Sequence, residues 1–232
     1  MEELSIILPV FNEKRSIGIV LKEWHNLFSK FKFSYSFIIC EDGSTDGTKE
    51  VLKKLIKKYP IILNQKVKRR GYAKAIIAGI LSSRSRYILC IDSDGQCDPE
   101  DFLKLWNYKK QAQILIGNRI RRIDNMQRLL FSYLFRLFFR LLFPNKISDP
   151  SAPFVLFKRK TILPYKRFLS FLREGFWWGF IAICLKEDLS VMEIPINHRK
   201  RLLGDTQIYH PKVIPGIAIR NMLSLIKLKI AR

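Results

Sequence analysis

Residues 90–101 read CIDSDGQCDPED and carry five carboxylates, in a chain whose 42 Lys and Arg outnumber its 20 Asp and Glu. Asp92 and Asp94 are two residues apart, so in an extended segment both side chains point to the same face of the strand. Two close carboxylates repel unless a cation or a shared proton compensates. Hard divalent ions prefer oxygen ligands, and magnesium usually combines one or two carboxylates with substrate phosphates. With Gln96 one alternation further on, the stretch predicts a divalent-cation site; a helix cap or a turn is the alternative.

A second acidic turn, EDGSTDGT, spans residues 41–48. It imitates a calcium-binding EF-hand loop, but its twelfth position holds Lys53, where that loop requires a glutamate. The first acidic stretch fails the same test, because its glycine stands at the fourth position and not the sixth. Neither turn therefore matches the sequence pattern of an EF-hand calcium loop. Asp46 and Thr48 can cap a following helix, which is compatible with a binding role for Asp42.

Short apolar runs alternate with helical patterns through the first half of the chain. The predicted strands cover residues 4–10, 36–40, 61–65, 86–92 and 114–119, and the predicted helices cover 14–31, 48–59, 71–83 and 99–109. Strands that are apolar on both faces and alternate with helices are typical of a parallel α/β sheet. Ligands of such sheets bind outside the carboxyl ends of the strands, where both acidic turns fall.

The composition limits the class of protein and its partners. A chain of 232 residues with 48% hydrophobic residues is globular, and its net charge of +22 favours nucleic acid, an anionic membrane surface or a phosphate-bearing substrate. The four cysteines form no CxxC pair, which indicates a reducing, cytoplasmic location. We expect no signal peptide and no membrane-spanning helix, since no run of about 18 uncharged apolar residues appears.

Two basic segments rich in aliphatic and aromatic residues predict amphipathic helices. In residues 125–143, Arg128, Ser132, Arg136 and Arg140 recur every fourth residue along a helix that is otherwise mostly Leu, Phe and Tyr. Residues 211–232 have a similar character and form a predicted C-terminal helix beyond a main domain of residues 1–210. Arginines held at one level suit an interfacial helix on anionic lipid. Core packing or dimerisation is the alternative.

Four motifs together resemble the family 2 glycosyltransferases of the GT-A fold. PVFNE (9–13), EDGSTDGT (41–48), GYAKAIIAG (71–79) and DSDGQ (92–96) stand in the order and at the spacings of that family. The DxDxQ form and the segment IPINHRKRLLGDTQIY (194–209) are most similar to its polyprenyl-phosphate branch, which includes dolichol-phosphate mannose synthases. The resemblance implies a Rossmann-like α/β fold with a mixed, mostly parallel sheet flanked by helices.

The resemblance also implies roles for individual residues. Those lining the nucleotide pocket would be Pro9, Asn12, Glu13, Asp42 and Asp92. Those holding Mg2+ or Mn2+ would be Asp92, Asp94 and Gln96. Those serving catalysis would be Asp94, Arg119 and Arg201, with Arg201, Thr206 and His198 as candidates for the acceptor phosphate.

Two departures from the family weaken the acceptor side of this assignment. Thr206-Gln207 replaces a Ser-Lys pair, which removes a charge that could meet a phosphate. DPSAPFVLFKR (149–159) occupies a segment where the family often has a Gly-Phe-Arg pattern.

The activity implied by the resemblance is metal-dependent, inverting transfer of a hexose from a GDP- or UDP-sugar to a polyprenyl phosphate. A lipid phosphate is already anionic, so no strong general base is required. The expected site of action is the cytoplasmic membrane face, on an anionic surface, with an integral membrane partner or a homodimer and without nucleic acid. A glycan or other acceptor, or a non-catalytic basic protein that binds membrane or nucleic acid, are the alternatives. A nucleotidyltransferase is disfavoured because PVFNE lacks a glycine-rich phosphate loop.

Overall fold

The computed structural model describes residues 3–120, 126–172, 175–201 and 214–231. Its strands are β1 (Leu4–Val10), β2 (Tyr35–Asp42), β3 (Ile61–Lys66), β4 (Tyr87–Cys90), β5 (Ile114–Arg119), β6 (Val155–Lys158) and β7 (Val191–Ile196). Within the described ranges these seven strands form one sheet in the spatial order β3-β2-β1-β4-β6-β5-β7.

All neighbouring strands run parallel except at β6, which is antiparallel to both β4 and β5. Val155, the first residue of β6, lies opposite Cys90 at the end of β4 and opposite Ile116 in β5. The segment that leads into β6 therefore reaches the sheet edge where the parallel strands have their carboxyl ends. This reversal brings residues 149–154 to the side of the acidic turns.

Helices cover both faces of the sheet. They are α1 (Ile17–Lys30), α2 (Thr48–Leu55), α3 (Tyr72–Ser82), α4 (Asp101–Tyr108), α5 (Met126–Leu142), α6 (Arg159–Ile162), α7 (Lys166–Leu169), α8 (Phe176–Lys186) and α9 (Ile214–Ile230). One core cluster includes buried residues of α1, α2 and α4, and the other includes buried residues of α3, α5, α8 and α9. Successive residues of a strand face alternate layers, which explains why the strands are apolar on both faces.

Helix α3 packs closely on the sheet at Gly79, which lies on its buried face. A Cβ atom on Gly79 would lie 2.5 Å from Ile7 Cγ2 of β1 and 3.0 Å from Cys40 Sγ of β2, so no larger residue fits there. This close approach fixes the N-terminal end of α3 beside the carboxyl ends of β1, β2 and β4.

Helix α8 is buried along most of its length and links the core to α9. At its C-terminal end, Lys186 Nζ donates to the carbonyl oxygens of Leu228, at 3.0 Å, and of Ala231. Leu228 is in the last turn of α9 and Ala231 directly follows the helix, a position where carbonyls lack helical partners and a cation is favoured. Lys186 thus clamps the C-terminal end of α9 to the main domain.

The predicted amphipathic helices are present as α5 and α9, which contact each other. Arg136 Nη1 donates to the carbonyl oxygen of Ser148 at 2.8 Å, and Arg140 Nη2 donates to that of Ile147 at 3.1 Å. These two guanidinium groups therefore hold the loop before Asp149, whereas the sequence pattern predicts that they face lipid. Among the described helices, none combines the length and the apolar character needed to cross a membrane.

Every strand and helix predicted for the first half is present; β1 and β5 have the predicted ends, and the others differ at one or both ends. Strand β4 stops at Cys90, two residues before the predicted end, and the chain turns at Ser93 and Asp94. Helix α2 ends at Leu55 and not at residue 59. Strand β6 and helix α8 have no counterpart among the predicted elements. Strand β6 is a four-residue apolar run, which does not show its secondary structure or direction. Helix α8 is apolar almost throughout and so has no clear helical periodicity.

Candidate active site

A pocket lies at the carboxyl edge of the sheet, where both acidic turns meet. Its lining includes six of the residues singled out by the sequence: Pro9, Glu13, Asp42, Asp92, Asp94 and Arg201. It also includes Phe11, Arg69 and Tyr72. Asn12, Gln96, Arg119 and His198 lie outside this lining, and Thr206 lies outside the described residues.

The PVFNE turn after β1 and the EDGSTDGT turn after β2 are joined by hydrogen bonds between their backbones and side chains. Asn12 N donates to Ser44 Oγ at 3.0 Å, and its Oδ1 accepts from Thr45 N at 2.9 Å. Glu13 N donates to Thr48 Oγ1 at 3.0 Å. Asn12 therefore holds the shape of both turns from beside the pocket, and the polar residues of EDGSTDGT are needed for this joint.

Asp46 lies just before the start of α2, where Gly47 and not the predicted Asp46 or Thr48 occupies the N-cap position. Its Oδ1 accepts from Thr48 N at 3.0 Å at the start of α2, and its Oδ2 accepts from Lys14 N at 3.1 Å. Although burial opposes the charge of Asp46, these hydrogen bonds hold its pKa below the ordinary value. The acidic turn thus serves both as a helix start and as a wall of the pocket.

Asp42 is buried at the end of β2, beneath the loop that leads into α3. Its Oδ1 accepts from Arg70 N at 3.0 Å, and its Oδ2 accepts from Gly71 N at 2.7 Å. Gly71 has a φ of +102°, which brings its N–H to the carboxylate and which other residues rarely adopt. In the same loop, the Arg69 guanidinium lies 3.9 Å from the centre of the Phe11 ring. This end of the pocket combines an acceptor with a flat stacked pair.

Asp92 is the most perturbed carboxylate of the pocket. Tyr72 donates from its hydroxyl to Asp92 Oδ1 at 2.7 Å, and Trp177 donates from Nε1 to the Tyr72 hydroxyl at 2.8 Å. Burial, and then the neighbouring charge of Asp94, raise the pKa of Asp92 to about 7. Burial, and then the charge of Asp92, also raise the pKa of Tyr72 well above its usual value, so the phenol keeps its proton. The negative charges of Asp92 and Asp94 therefore repel each other, and the nearby arginines do not fully neutralise them.

The DSDG turn is tied to the rest of the edge by backbone contacts. Ser93 Oγ donates to the carbonyl oxygen of Pro9 at 2.8 Å. Asp94 Oδ1 accepts from Gln96 N at 3.1 Å across Gly95, whose φ is +80°. These contacts fix Asp94 beside Asp92 at the end of β4.

The donor set fits a divalent cation that also binds ligand phosphates. Among the described residues, no three His, Cys, Asp or Glu side chains cluster to make a metal site on their own. Two carboxylates that resist sharing a buried site are, however, what magnesium or manganese takes together with phosphate oxygens. Gln96 Nε2 donates to the carbonyl oxygen of Arg199 at 3.3 Å, and Gln96 lies outside the pocket lining. Of the three residues predicted to hold the cation, only Asp92 and Asp94 therefore line the pocket.

Arg201 reaches the pocket from the segment that follows β7. Its Nη1 lies 3.7 Å from Asp94 Oδ2, and its Nη2 donates to Glu13 Oε1. Burial raises the pKa of Glu13, opposed by the hydrogen bond from Ser16 and the charge of Arg201. The guanidinium thereby supplies positive charge beside the carboxylates of the pocket.

Residues 197–201 are held in place by the segment that follows DSDG; we call them the 197–201 strap. His198 pairs with Cys97 in an isolated β-bridge, and Asn197 N donates to Asp101 Oδ2 at 2.6 Å. Arg199 donates from Nη2 to Asp98 Oδ1 at 2.7 Å and from Nη1 to Glu23 Oε2 at 3.2 Å. His198 thus lies in the strap that carries Arg201, outside the pocket lining.

Arg119 is engaged in a buried ion pair at the end of β5. Its Nε and Nη2 donate to the two oxygens of Asp149 at 2.6 and 2.8 Å, and its Nη2 also donates to Ser151 Oγ at 2.8 Å. Glu193 of β7 accepts from the N–H groups of Ser148 and Asp149 at 2.9 and 2.8 Å. The side chains of Arg119 and Asp149 are each only 7% exposed. Their ion pair joins β5 to the loop that leads into β6.

The sequence pattern alone indicates no role for Tyr72, Trp177, Asp149 or Arg199. Tyr72 stands inside the motif GYAKAIIAG, but nothing in the sequence shows that its hydroxyl reaches Asp92. Trp177 lies 105 residues further along the chain, so its contact with Tyr72 depends on the tertiary fold.

Comparison with known families identifies the fold and the class of enzyme. Residues 5–163 match the family described as Glycosyl transferase family 2. The chain belongs to this family. The resemblance carried by the four motifs is thereby confirmed, and so is the prediction that the chain is a nucleotide-sugar glycosyltransferase.

Relatives of this family 2 glycosyltransferase include enzymes named for polyprenyl-phosphate substrates. Dolichyl-phosphate beta-glucosyltransferase of Dictyostelium discoideum is 30% identical over 251 residues, which cover 97% of this chain and 77% of that protein. Dodecaprenyl-phosphate galacturonate synthase of Rhizobium johnstonii is 29% identical over 128 residues, which cover 53% of this chain and 38% of that protein.

A solved structure confirms the predicted fold class. Glucosyl-3-phosphoglycerate synthase of Mycobacterium tuberculosis, in complex with Mn2+, UDP-glucose and phosphoglyceric acid, is similar with a TM-score of 0.72 and 15% identity. The match covers 98% of this chain and 80% of that one. At this identity the likeness concerns the fold alone, which is a mixed, mostly parallel GT-A sheet flanked by helices.

The pocket of this family 2 glycosyltransferase suits the electrostatics of glycosyl transfer. Departure of a nucleoside diphosphate from a sugar builds negative charge on its phosphates, and fixed cationic groups that meet this charge lower the barrier. Arg201 places a fixed positive charge in this pocket, 3.7 Å from Asp94.

Proposed function

We propose that the chain transfers a hexose from a GDP- or UDP-sugar to a polyprenyl phosphate, such as dolichyl or undecaprenyl phosphate, with inversion and with a divalent metal. The observation that carries this proposal is the Asp92–Asp94 pair beside Arg201, in a pocket at the carboxyl edge of a family 2 fold. The names of the relatives, dolichyl-phosphate beta-glucosyltransferase and dodecaprenyl-phosphate galacturonate synthase, support the acceptor class.

Each end of the pocket has a part in the proposed reaction. Asp42, with the Phe11–Arg69 pair beside it, accepts a hydrogen bond from an N–H of the nucleobase. Pro9 and Glu13 complete the nucleotide wall, and Glu13 also orients Arg201. Asp92 and Asp94 would hold Mg2+ or Mn2+, which supplies a positive charge for the diphosphate.

The transfer itself is a single displacement. An anionic oxygen of the lipid phosphate forms a bond to the anomeric carbon as the bond from that carbon to the nucleoside diphosphate breaks. Because the attacking oxygen carries no proton at neutral pH, no side chain has to act as a general base. Arg201 meets the charge that develops on the departing diphosphate.

A surface suited to lipid lies on the α3–α5–α8–α9 side of the sheet. We define the α5–α9 face by the apolar side chains that α5 and α9 leave exposed: Leu130, Phe131, Leu134, Leu137, Leu141, Ile219, Leu223, Ile226 and Ile230. The exposed cations Arg220, Lys227 and Lys229 belong to α9. Each cation near an anionic surface contributes about 1 kcal/mol to binding. We propose that this face rests on the cytoplasmic side of an anionic membrane.

A transfer assay tests the proposed reaction. The purified protein is incubated with labelled UDP-glucose or GDP-mannose and with undecaprenyl phosphate, dolichyl phosphate or 3-phosphoglycerate, in Mn2+, Mg2+ or EDTA. Label is expected in the lipid product, only with metal and with one of the two nucleotides. Asp94→Asn should abolish it, whereas Asp188→Asn, the same change at an exposed turn, should leave it intact.

The same assay separates the proposal from its alternatives. Label in 3-phosphoglycerate with none in either lipid would contradict the lipid acceptor while retaining a glycosyltransferase. Absence of transfer, together with metal-independent binding to vesicles or DNA that falls steeply with salt, would favour a non-catalytic basic protein.

Vesicle binding tests the membrane proposal. The protein should sediment with vesicles of phosphatidylglycerol and phosphatidylcholine, and less with phosphatidylcholine alone. Leu134→Glu and Leu141→Glu should weaken the binding, whereas Ile19→Glu, on the opposite layer of the fold, should not. If Leu134→Glu instead splits a dimer in lipid-free solution without changing vesicle binding, the face serves a homodimer.

A further inference from the structure

Two aromatic side chains form a hydrogen-bond chain that ends on Asp92. Trp177 Nε1 donates to the Tyr72 hydroxyl at 2.8 Å, and that hydroxyl lies 2.7 Å from Asp92 Oδ1. An indole N–H can only donate, so the Tyr72 oxygen must accept from Trp177. The hydroxyl proton is then left for Asp92, which fixes the direction of the whole chain.

The packing around these residues leaves them little freedom. Tyr72 is the first residue of α3, whose approach to the sheet is set by Gly79. Trp177 is buried in the first turn of α8, with its ring centroid 4.9 Å from that of Phe176 and 5.5 Å from that of Phe180. One side chain from α8 and one from α3 thus form the hydrogen-bond chain that ends on Asp92 Oδ1.

We propose that Tyr72 and Trp177 are positioning residues that hold Asp92 for cation binding. The inference rests on the proposed metal site at Asp92 and Asp94. Tyr72 occupies one acceptor position of Oδ1 and so fixes the plane of the carboxylate. Trp177 polarises the Tyr72 hydroxyl and keeps it aimed at Asp92, because hydrogen bonds in a chain strengthen one another.

A role confined to core packing makes a different prediction. Phenylalanine at position 72 retains the ring and its apolar contacts, and removes only the hydroxyl. If Tyr72 served packing alone, Tyr72→Phe would leave the cation affinity unchanged. If it positions Asp92, the carboxylate loses its fixed partner and the cation affinity falls. Partners of metal ligands typically account for about 10- to 100-fold in affinity.

The test is titration with Mn2+ alone and then with Mn2+ and UDP or GDP, followed by electron paramagnetic resonance of free Mn2+. Tyr72→Phe should weaken Mn2+ binding by about 10-fold or more, and Trp177→Phe by a smaller factor. Tyr35→Phe removes the hydroxyl that lies 2.6 Å from His25 Nδ1, away from the pocket, and serves as the control for Tyr72. Trp178→Phe is the control for Trp177, since Trp178 packs on Phe135 and Phe139.

Each outcome bears on a different proposal. A wild-type protein that binds Mn2+ while Tyr72→Phe binds it equally well would overturn the positioning role and leave the metal site standing. A wild-type protein that does not bind Mn2+ with either nucleotide would overturn the metal site, and the positioning role with it. If Tyr72→Phe does not fold, as judged by thermal unfolding, Trp177→Phe decides, and unchanged affinity there overturns the inference.

Discussion

Arg201 Nη1 lies 3.7 Å from Asp94 Oδ2, while its Nη2 donates to Glu13 Oε1, so one guanidinium connects carboxylates that follow two different strands, β4 and β1. A divalent cation at Asp94 would have to share this carboxylate with Arg201. The arginine therefore opposes binding of the cation alone, and favours binding of the anionic diphosphate.

Arg201→Ala should consequently change two measurements in opposite directions. Binding of Mn2+ without nucleotide should become tighter, because a positive charge beside Asp94 is lost. Transfer should slow by about 100-fold, as expected when a donor to developing negative charge is removed. Electron paramagnetic resonance and the lipid-phosphate assay measure the two quantities, with Arg84→Ala as a control at an exposed site outside the pocket. Weaker Mn2+ binding would contradict this account of the guanidinium.

Asp92→Asn should stabilise the metal-free protein at pH 8. The pKa of Asp92 is raised from 3.8 to about 7 by burial and then by Asp94, so folding is opposed by its charge above about pH 7. As the pH falls, the folded protein takes up this proton first, and its stability relative to the unfolded chain increases. The advantage of the variant should therefore shrink between about pH 7 and 4. Urea unfolding of both proteins across this range, in EDTA, measures it; an advantage that grows on acidification would contradict the sign.

Arg119→Ala should destabilise the fold more than it alters donor binding. Removing one partner of a buried ion pair leaves the other charge uncompensated and costs about 3–5 kcal/mol. Asp149 would be that charge, at a position where the backbone bonds to Glu193 keep it in place. The double change Arg119→Met with Asp149→Leu should recover much of the lost stability. Chemical unfolding tests this, and a stable single variant that fails only in transfer would instead assign Arg119 to the phosphates.

Arg199→Ala should lower transfer without a large loss of stability. Its contacts to Asp98 and Glu23 are partly exposed, and such pairs contribute about 1 kcal/mol or less. They nevertheless tie down the 197–201 strap that carries Arg201, so the guanidinium should lose its fixed position. We expect a fall in transfer of several-fold and little change in the melting temperature. Arg86→Ala, at an exposed site in the loop before β4, is the matched control.

The sequence predicted the parallel part of the fold because that part repeats one pattern. Strands buried on both faces and helices with one apolar side leave a clear periodicity, and Asp42, Asp92 and Asp94 follow strands that the pattern identifies. The antiparallel β6 is only four residues long, and its direction depends on pairing with β4 and β5. Local pattern contains neither fact, so the partner of Arg119 could not be foreseen.

The candidate site shows the same division. Residues that act through their own chemistry, such as the two aspartates, stand out by type and spacing. Residues that act by holding them, such as Tyr72 and Trp177, resemble ordinary core aromatics until the fold brings them together. The assignment of Gln96 as a metal ligand remains a prediction, and the structure turns its amide nitrogen to the Arg199 carbonyl.

Helix α8 has a consequence for the geometry of catalysis at a membrane. Trp177, near one end, leads through Tyr72 to Asp92, and Lys186, at the other end, clamps the last turn of α9. Nine residues separate the two, which is about 14 Å of helix at 1.5 Å per residue. A helix of this kind has a fixed length, so it acts as a spacer between the proposed lipid-facing helix and the carboxylates. With α9 on the bilayer as proposed, the length of α8 would set the distance between the bilayer surface and the carboxylates. A lipid phosphate would have to cover that distance to reach the sugar.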